Sequence, residues 1–374
     1  MTVELLQQLI RIPSVNPEGD PGTSHVGENE IACFLEQYLV GIGAEVELRE
    51  VEPGRPNVVA RFPARKKDLP RIAFAPHTDT VTVKGMTIDP FGGNVSDGKI
   101  WGRGATDTKG SMAAMLSALK SASLFLQDLS CEIWFCGLMG EEAGLQGSRA
   151  LATQEKFDFV IAGEPTELCA VTSHKGAARL KLWTEGVAAH ASTPEAGVNA
   201  IDGMTDLLKD LREQFPGEST VDPVLGSPTI SVGTIKGGTK SNVVPDYCEA
   251  HVDIRSVPGF NVEGFLQRWQ QRHPACHLDF LLSPPLQTDP SHGFVNLLNE
   301  MGAKSVVAPW FCDAASFAEK GMPAVALGPG HISQAHTVDE WISIEDLEAG
   351  AHFFLRLLEK LRAAHPFEQG TLNQ

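Results

Sequence analysis

Apolar residues at Ile31, Phe34, Leu35 and Tyr38 recur at helical spacing, so residues 27–39 are predicted as a helix, as is the shorter stretch 3–10. The period then changes. Segments 44–51, 57–62, 71–76, 131–138 and 157–162 are short, rich in Val, Ile and Phe, and bounded by Pro, Gly or Asp, which predicts strands. Between two of them, 111–126 carries a helical pattern. Strands that alternate with helices, several of them apolar throughout, predict an α/β core with a covered, mixed and largely parallel sheet.

Beyond His174 the order of elements changes to strand 177–185, helix 199–214, strand 228–235, strand 246–255, helix 261–272 and strand 276–282. This β-α-β-β-α-β order is that of a self-contained ferredoxin-like α+β unit. From residue 293 the earlier alternation resumes, with helices 293–301 and 314–320, strand 323–327 and a final helix near 345–362. The resumed strand needs a sheet to join, so the expected organisation is one α/β domain (1–174 and 286–374) interrupted by an insertion (175–285). Residues 367–374 are expected to be a frayed tail.

Composition narrows the function. The chain has 374 residues, 42% of them hydrophobic, which is enough for a sizeable core. A formal charge of -17 has the wrong sign for gripping a phosphate backbone, so no nucleic-acid partner is expected. The start lacks a cationic leader before an apolar stretch, and no run of eighteen apolar residues occurs. A cytoplasmic protein without a membrane partner is therefore expected. Seven scattered cysteines without a Cys-x-x-Cys pair argue for reduced thiols rather than a disulfide framework or a thiolate metal site.

The candidate chemistry lies where strands end. The run 71–76 leads into His77-Thr78-Asp79, strand 131–138 into Gly140-Glu141-Glu142, strand 157–162 into Gly163-Glu164, and strand 323–327 into a loop that reaches His336. A Gly-rich loop, 101–110, brings Asp107 to the start of a helix. In open α/β sheets the ligand crevice lies beyond the carboxyl ends of strands, so these groups can converge. Taken singly, Asp107 suits a helix N-cap and Glu141-Glu142 a solvated turn. Taken together, two imidazoles and several carboxylates in one crevice need a divalent cation, and this donor set suits zinc, with cobalt or manganese as substitutes. A carboxylate two residues after a metal-binding His, as Asp79 is, suits the task of taking its second ring N–H. Adjacent Glu141 and Glu142 can divide base and ligand roles, but the residues alone leave open which does which.

Five motifs resemble the signatures of the M20 metallopeptidase family: His77-Thr78-Asp79-Thr80-Val81, the run Gly102 to Gly110, Gly140-Glu141-Glu142, Gly163-Glu164-Pro165-Thr166, and Gly328-Pro329-Gly330 through Ala335-His336. The resemblance runs from Arg11 to Glu340. It implies a two-zinc site in which Asp107 bridges, His77 and Glu164 complete one metal, and Glu142 and His336 complete the other. It further implies Glu141 as general base, Asp79 as the partner of His77, and a homodimer formed through the insertion. His190, in Ala188-Ala189-His190, matches the family's lid histidine, an oxyanion donor that reaches the partner subunit's site; Asn242 matches a residue at the substrate end.

Arg255 closes an otherwise apolar strand, and its planar guanidinium suits bidentate capture of a substrate carboxylate. His174 reads as a hinge or core residue, and His331 as a substrate-side contact. The expected activity is hydrolysis of a small N-acyl amino acid at its amide bond, with N-acetylornithine as lead substrate. A succinylated diamino acid or a short peptide is the alternative, and a binding protein without activity the least favoured reading. Cys312 stands where many family members have Thr, a departure that bears on substrate choice.

Overall fold

A computed structural model describes residues 1–218 and 221–363; the expected tail at 367–374 lies outside the described residues. The chain divides into two compact units. One comprises Met1–Ser173, Gln287–Val307 and the chain from Cys312 onward; the other comprises His174–Leu286 with Ala308–Phe311.

In chain order the elements of the first part are α1 (Thr2–Ile10), α2 (Asn29–Gly41), β1 (Glu45–Glu52), β2 (Arg55–Phe62), β3 (Arg71–Ala75), β4 (Asn94–Ser96), β5 (Lys99–Trp101), α3 (Lys109–Ala122), β6 (Glu132–Gly137), α4 (Glu141–Gly144), α5 (Gln146–Gln154), β7 (Phe159–Ala162) and β8 (Ala170–His174). The second unit supplies β9 (Gly176–Glu185), α6 (Ala200–Glu218), β10 (Thr229–Gly237), β11 (Tyr247–Ser256), α7 (Val262–Arg272) and β12 (His277–Ser283). There follow β13 (Leu286–Gln287), α8 (Gly293–Glu300), β14 (Ser305–Ala308), α9 (Ala314–Glu319), β15 (Ala324–Ala326), β16 (Trp341–Ser343) and α10 (Ile344–Ala363).

The principal sheet runs β1-β2-β6-β3-β7-β15-β8-β13, with β14 beside β8. Its centre, β6-β3-β7-β15, is parallel, and antiparallel pairs flank it at β1-β2, β2-β6 and β15-β8. The strands of that centre are apolar because helices cover both faces of such a sheet, and β7 and β15 are buried at every position. Phe74, Phe135, Phe159 and Phe354 are fully buried in its core, each contributing about 1.5–3 kcal/mol by removal from water. α3 packs against α1 and α10 and is buried nearly all round, which its run of Ala, Ser, Met and Leu permits. That buried helix begins two residues after Asp107.

The second unit has strand order β10-β11-β9-β12, all neighbours antiparallel, the ordering of a ferredoxin-like sheet. Leu180, Leu182, Val252 and Ile254 form its core with Met204, Leu211, Phe265 and Trp269 of α6 and α7. Alternate residues of β11 point the other way, and Asp253 and Arg255 are among them.

Several elements escape the pattern of the sequence. The small sheet β16-β5-β4 uses strands of three residues, too short to show a period. The helices α4 and α5 are separated by Leu145 in a left-handed conformation, and α3 stops at Ala122, with 126–128 forming a separate helical turn. Among the described residues no helix is long and apolar enough to cross a membrane, and none of the seven cysteines forms a disulfide.

Candidate metal centre

Three parallel strands end side by side and carry the first donors. Past β3, His77 still pairs with Leu138 beyond β6, and Thr78 N–H donates to the Leu138 carbonyl at 2.7 Å. Past β7, Gly163 leads to Glu164. The turn at Gly140 has φ +73°, and a Cβ there would stand 2.6 Å from Gln146 Oε1. Only glycine makes this turn without strain, and it starts the short helix that presents Glu141 and Glu142. Beyond β15, Gly328 packs so closely that a Cβ would lie 2.6 Å from the Glu164 carbonyl oxygen, and the chain then turns back to His336, itself at φ +59°. Asp107 enters from the loop before α3, followed by a cis peptide bond to Thr108, whose hydroxyl donates to the Gly163 carbonyl.

These segments bring donor atoms into two groups, each with its atoms within 4.8 Å of one another: His77–Asp107–Glu164 and Asp107–Glu142–His336. Asp107 belongs to both. Its Oδ1 lies 3.0 Å from His77 Nε2 and its Oδ2 3.3 Å from His336 Nε2, and Glu142 Oε2 is 3.0 Å from the same His336 nitrogen. A third group, His77–Glu141–Glu142, overlaps the first two, so position alone does not separate Glu141 from the other donors.

Asp79 organises the region from beneath. Its Oδ1 accepts the Glu141 N–H at 3.0 Å, and its Oδ2 accepts the Glu142 N–H at 3.1 Å and the Asn16 side-chain amide at 2.8 Å. The nearest acceptor to His77 Nδ1 is the Asp79 main-chain carbonyl at 3.0 Å, with the carboxylate at 3.5 Å. The residue thus fixes the ring mainly through its backbone and the Glu141-Glu142 turn through its side chain. With Nδ1–H given to that carbonyl, Nε2 is the nitrogen that faces the other donors.

The electrostatics of the cluster follow from its burial and its crowded charges. Burial, then the charge of Asp107, pushes the Glu164 carboxyl well above its usual range. Burial, opposed by His77 but reinforced by Glu164 and Glu142, does the same to Glu141. Burial drives Asp107 up as well, but hydrogen bonds from His336 and His77 reverse this and hold it below the ordinary carboxylate range. The imidazoles respond in kind. His336 is pushed up to about 10 by Asp107 and Glu142, and His77 rises against the cost of burial. Carboxylates crowded in low dielectric favour positive charge beside them, which is why His77 and His336 are both shifted upward. Among the described residues, buried Glu142 Oε1 has no hydrogen-bond partner. Imidazole nitrogens, carboxylate oxygens and one orphaned acceptor fit a pair of divalent cations. Cys312 adjoins this region as a buried neutral thiol, raised by burial and by Glu164.

Of the remaining expected residues, His190, Asn242, Arg255 and His174 lie in the second unit. His190 is exposed, with Nδ1 2.7 Å from the Ser192 hydroxyl, and it pairs with Val243, next to exposed Asn242. Arg255 is at the far end of β11 from that loop, donating to Asp253 at 2.7 Å and lying over Phe311. His174 is buried, its Nδ1 2.9 Å from the Lys175 carbonyl. His331, in the first unit, is 3.2 Å from Glu167.

Sequence reasoning assigned nothing to Asn16, Asn57 or Glu340. Asn57 accepts the Met139 N–H at 3.0 Å and donates to the Gly147 carbonyl at 2.8 Å, bracketing the Glu141-Glu142 turn. Glu340, fully buried, accepts from the 103–107 loop. Asn16 and Asn57 stand in no motif, and Glu340, which closes the stretch that resembles the family, has no local pattern that reveals its partners.

A parallel-centred α/β sheet with imidazoles and carboxylates gathered at its strand ends defines a metallohydrolase class. The chain belongs to peptidase family M20/M25/M40, whose model matches residues 73–360. It is 31% identical to the acetylornithine deacetylase of Photorhabdus laumondii subsp. laumondii, over 91% of this chain and 92% of that protein. Among solved structures, an M20 family metallo-carboxypeptidase from Sulfolobus solfataricus superposes with a TM-score of 0.80 at 19% identity, covering 97% of this chain and 99% of that one. A tripeptidase from Staphylococcus aureus subsp. aureus Mu50 gives 0.77 at 22% identity, covering 97% and 98%. At these identities the structures speak for the fold. The chain is thus an M20-family hydrolase.

Proposed function

We propose that the protein is a two-metal amidohydrolase that cleaves the amide of a small N-acyl amino acid, with N-acetylornithine as its substrate. The observation that carries this reading is the pair of His–carboxylate triads sharing Asp107, with Glu141 beside them. Similarity to an acetylornithine deacetylase over most of both chains supports the choice of substrate.

In this reading His77, Asp107 and Glu164 would hold one cation, and Asp107, Glu142 and His336 would hold the other. When bound, such a pair lowers the pKa of a water and polarises an acyl carbonyl. Glu141 takes the proton from the attacking water and passes it to the amine nitrogen as the C–N bond breaks, releasing acetate and a free amine. Asp79 holds the Glu141 main chain, so the base stays aimed while its carboxyl moves the proton. His190 donates a hydrogen bond where charge develops on the carbonyl oxygen, in the site of a neighbouring subunit. Arg255 receives the substrate carboxylate and Asn242 lines the substrate end. The finer assignments made with this reading are zinc as native metal, cobalt or manganese as substitutes, a cytoplasmic location, and a homodimer through the second unit.

One observation favours a second substrate. Arg179 lies over the same Phe311 ring as Arg255, the guanidinium carbons 5.5 and 5.8 Å from its centroid. Two cations on one platform suit a substrate with a carboxylate at each end, as in N-succinyl-diaminopimelate. A hydrolysis panel of zinc-loaded protein against N-acetylornithine, N-succinyl-diaminopimelate and simple dipeptides decides. Preferred turnover of the acetyl substrate is expected, and turnover of dipeptides alone overturns the deacylase reading.

A further inference from the structure

Glu340 is the most heavily engaged carboxylate around the centre that the proposed chemistry does not use. It is fully buried. Its Oε1 accepts the main-chain N–H groups of Thr106 at 2.8 Å and Asp107 at 2.9 Å, and its Oε2 accepts the Gly104 N–H at 3.0 Å and the Arg103 guanidinium at 2.8 Å. The neighbouring backbone continues the attachment. Gly102 N–H donates to the Glu340 carbonyl at 3.0 Å, the Thr106 hydroxyl to the Trp341 carbonyl at 2.7 Å, and β5 pairs with β16 at Trp101 and Trp341.

A full negative charge next to several acidic donors is costly, and a core that needed only packing is served as well by an apolar side chain. What an apolar residue cannot do is satisfy three N–H groups of an irregular loop in fixed positions. That loop ends in Asp107. The other end of the same short segment, four residues before Glu340, is His336.

We propose that Glu340 is a positioning residue for the metal centre: by gathering the N–H groups of Gly104, Thr106 and Asp107 it sets where the shared Asp107 carboxylate sits and ties it to the segment carrying His336. The inference rests on the two-metal reading of the site. Because Asp107 serves both triads, loosening its loop weakens both cations together, whereas loss of a ligand private to one triad weakens one. Glu340→Gln keeps the size of the side chain but turns one acceptor into a donor, so the four contacts cannot all persist.

The test is a chelator-competition titration of metal-free protein with zinc, and with cobalt followed by its visible absorption, at a temperature where thermal unfolding shows the metal-free chain folded. The wild-type chain is expected to take two equivalents, and failure to do so removes the metal reading itself. Given two equivalents, Glu340→Gln is expected to bind both about 10–100-fold more weakly, the usual cost of losing a group that orients a ligand, with altered cobalt bands. A lowered unfolding midpoint with affinities within about fivefold of wild type means that Glu340 merely stabilises the loop, and overturns the proposal. So does a loss confined to one equivalent. If the Gln variant does not fold, Glu340→Asp, which keeps the charge but shortens the reach by one methylene, is judged by the same two criteria.

Discussion

Glu141 and Glu142 are chain neighbours that share His77, but Glu142 Oε2 meets His336, while the Glu141 carboxyl is perturbed chiefly by burial and by His77. If Glu141 moves the proton and Glu142 binds metal, Glu141→Gln is expected to keep both metals and lose about 10²–10⁴ in kcat. Glu142→Gln is expected to lower metal affinity as well, and metal loss in Glu141→Gln alone means that the roles are reversed. A second residue-scale prediction concerns pH. Burial pulls the His174 imidazole from its usual 6.5 down to about 4. The unfolded chain therefore binds the extra proton between those values, so stability is retained above about 6.5 and falls as pH drops toward 4, by about 2–4 kcal/mol. Urea unfolding of metal-free wild type and His174→Gln at pH 4.5 and 7 measures this; groups common to both cancel, and the variant should show the smaller decline. The candidate donors were legible because each follows a recognisable strand or precedes a helix. The roles of Asn16 and Glu340 were not, because a side chain that serves a carboxylate 63 residues away or a loop backbone 233 residues away leaves no trace of its partner in its own neighbourhood.

At the scale of elements, α7 offers the most direct stability test. The Asn261 side chain accepts the Gly264 N–H at 2.8 Å, satisfying a donor that the first turn otherwise leaves open. Asn261→Ala is expected to cost about 1 kcal/mol, read as a lower thermal midpoint with metal content unchanged. The same element shows why its helix was readable: Phe265, Leu266 and Trp269 form one buried stripe on an otherwise polar segment. By contrast β4, β5 and β16 have three residues each; β5 meets β16 at Trp101 and Trp341, which are far apart in the chain, and β4 at Asn94 and Trp101. The short helices after Gly140 are set by left-handed turns at Gly140 and Leu145, and a turn of that kind at leucine has no signature in sequence.

For the whole molecule, the proposed dimer makes a prediction that single variants cannot. If His190 serves the neighbouring subunit's site, His190→Ala and Glu141→Gln proteins are each nearly inactive, yet a mixed dimer has one site with both defects and one with neither. Activity should return on mixing once subunit exchange is verified by mass; exchange without recovery removes His190 from the cross-subunit role. The alternation of strands and helices foretold the principal sheet but not its strand order, which depends on which edges remain open as the chain returns. That order has a consequence for synthesis. β15, at residues 324–326, lies between β7 and β8, which end at residues 162 and 174. While the ribosome is making everything between, β7 has one side unpaired, an adhesive edge of the sort that invites wrong partners. The principal sheet can close only when residue 326 of 374 has emerged, so a nascent chain stalled before that point carries a split sheet and is the form most in need of a chaperone.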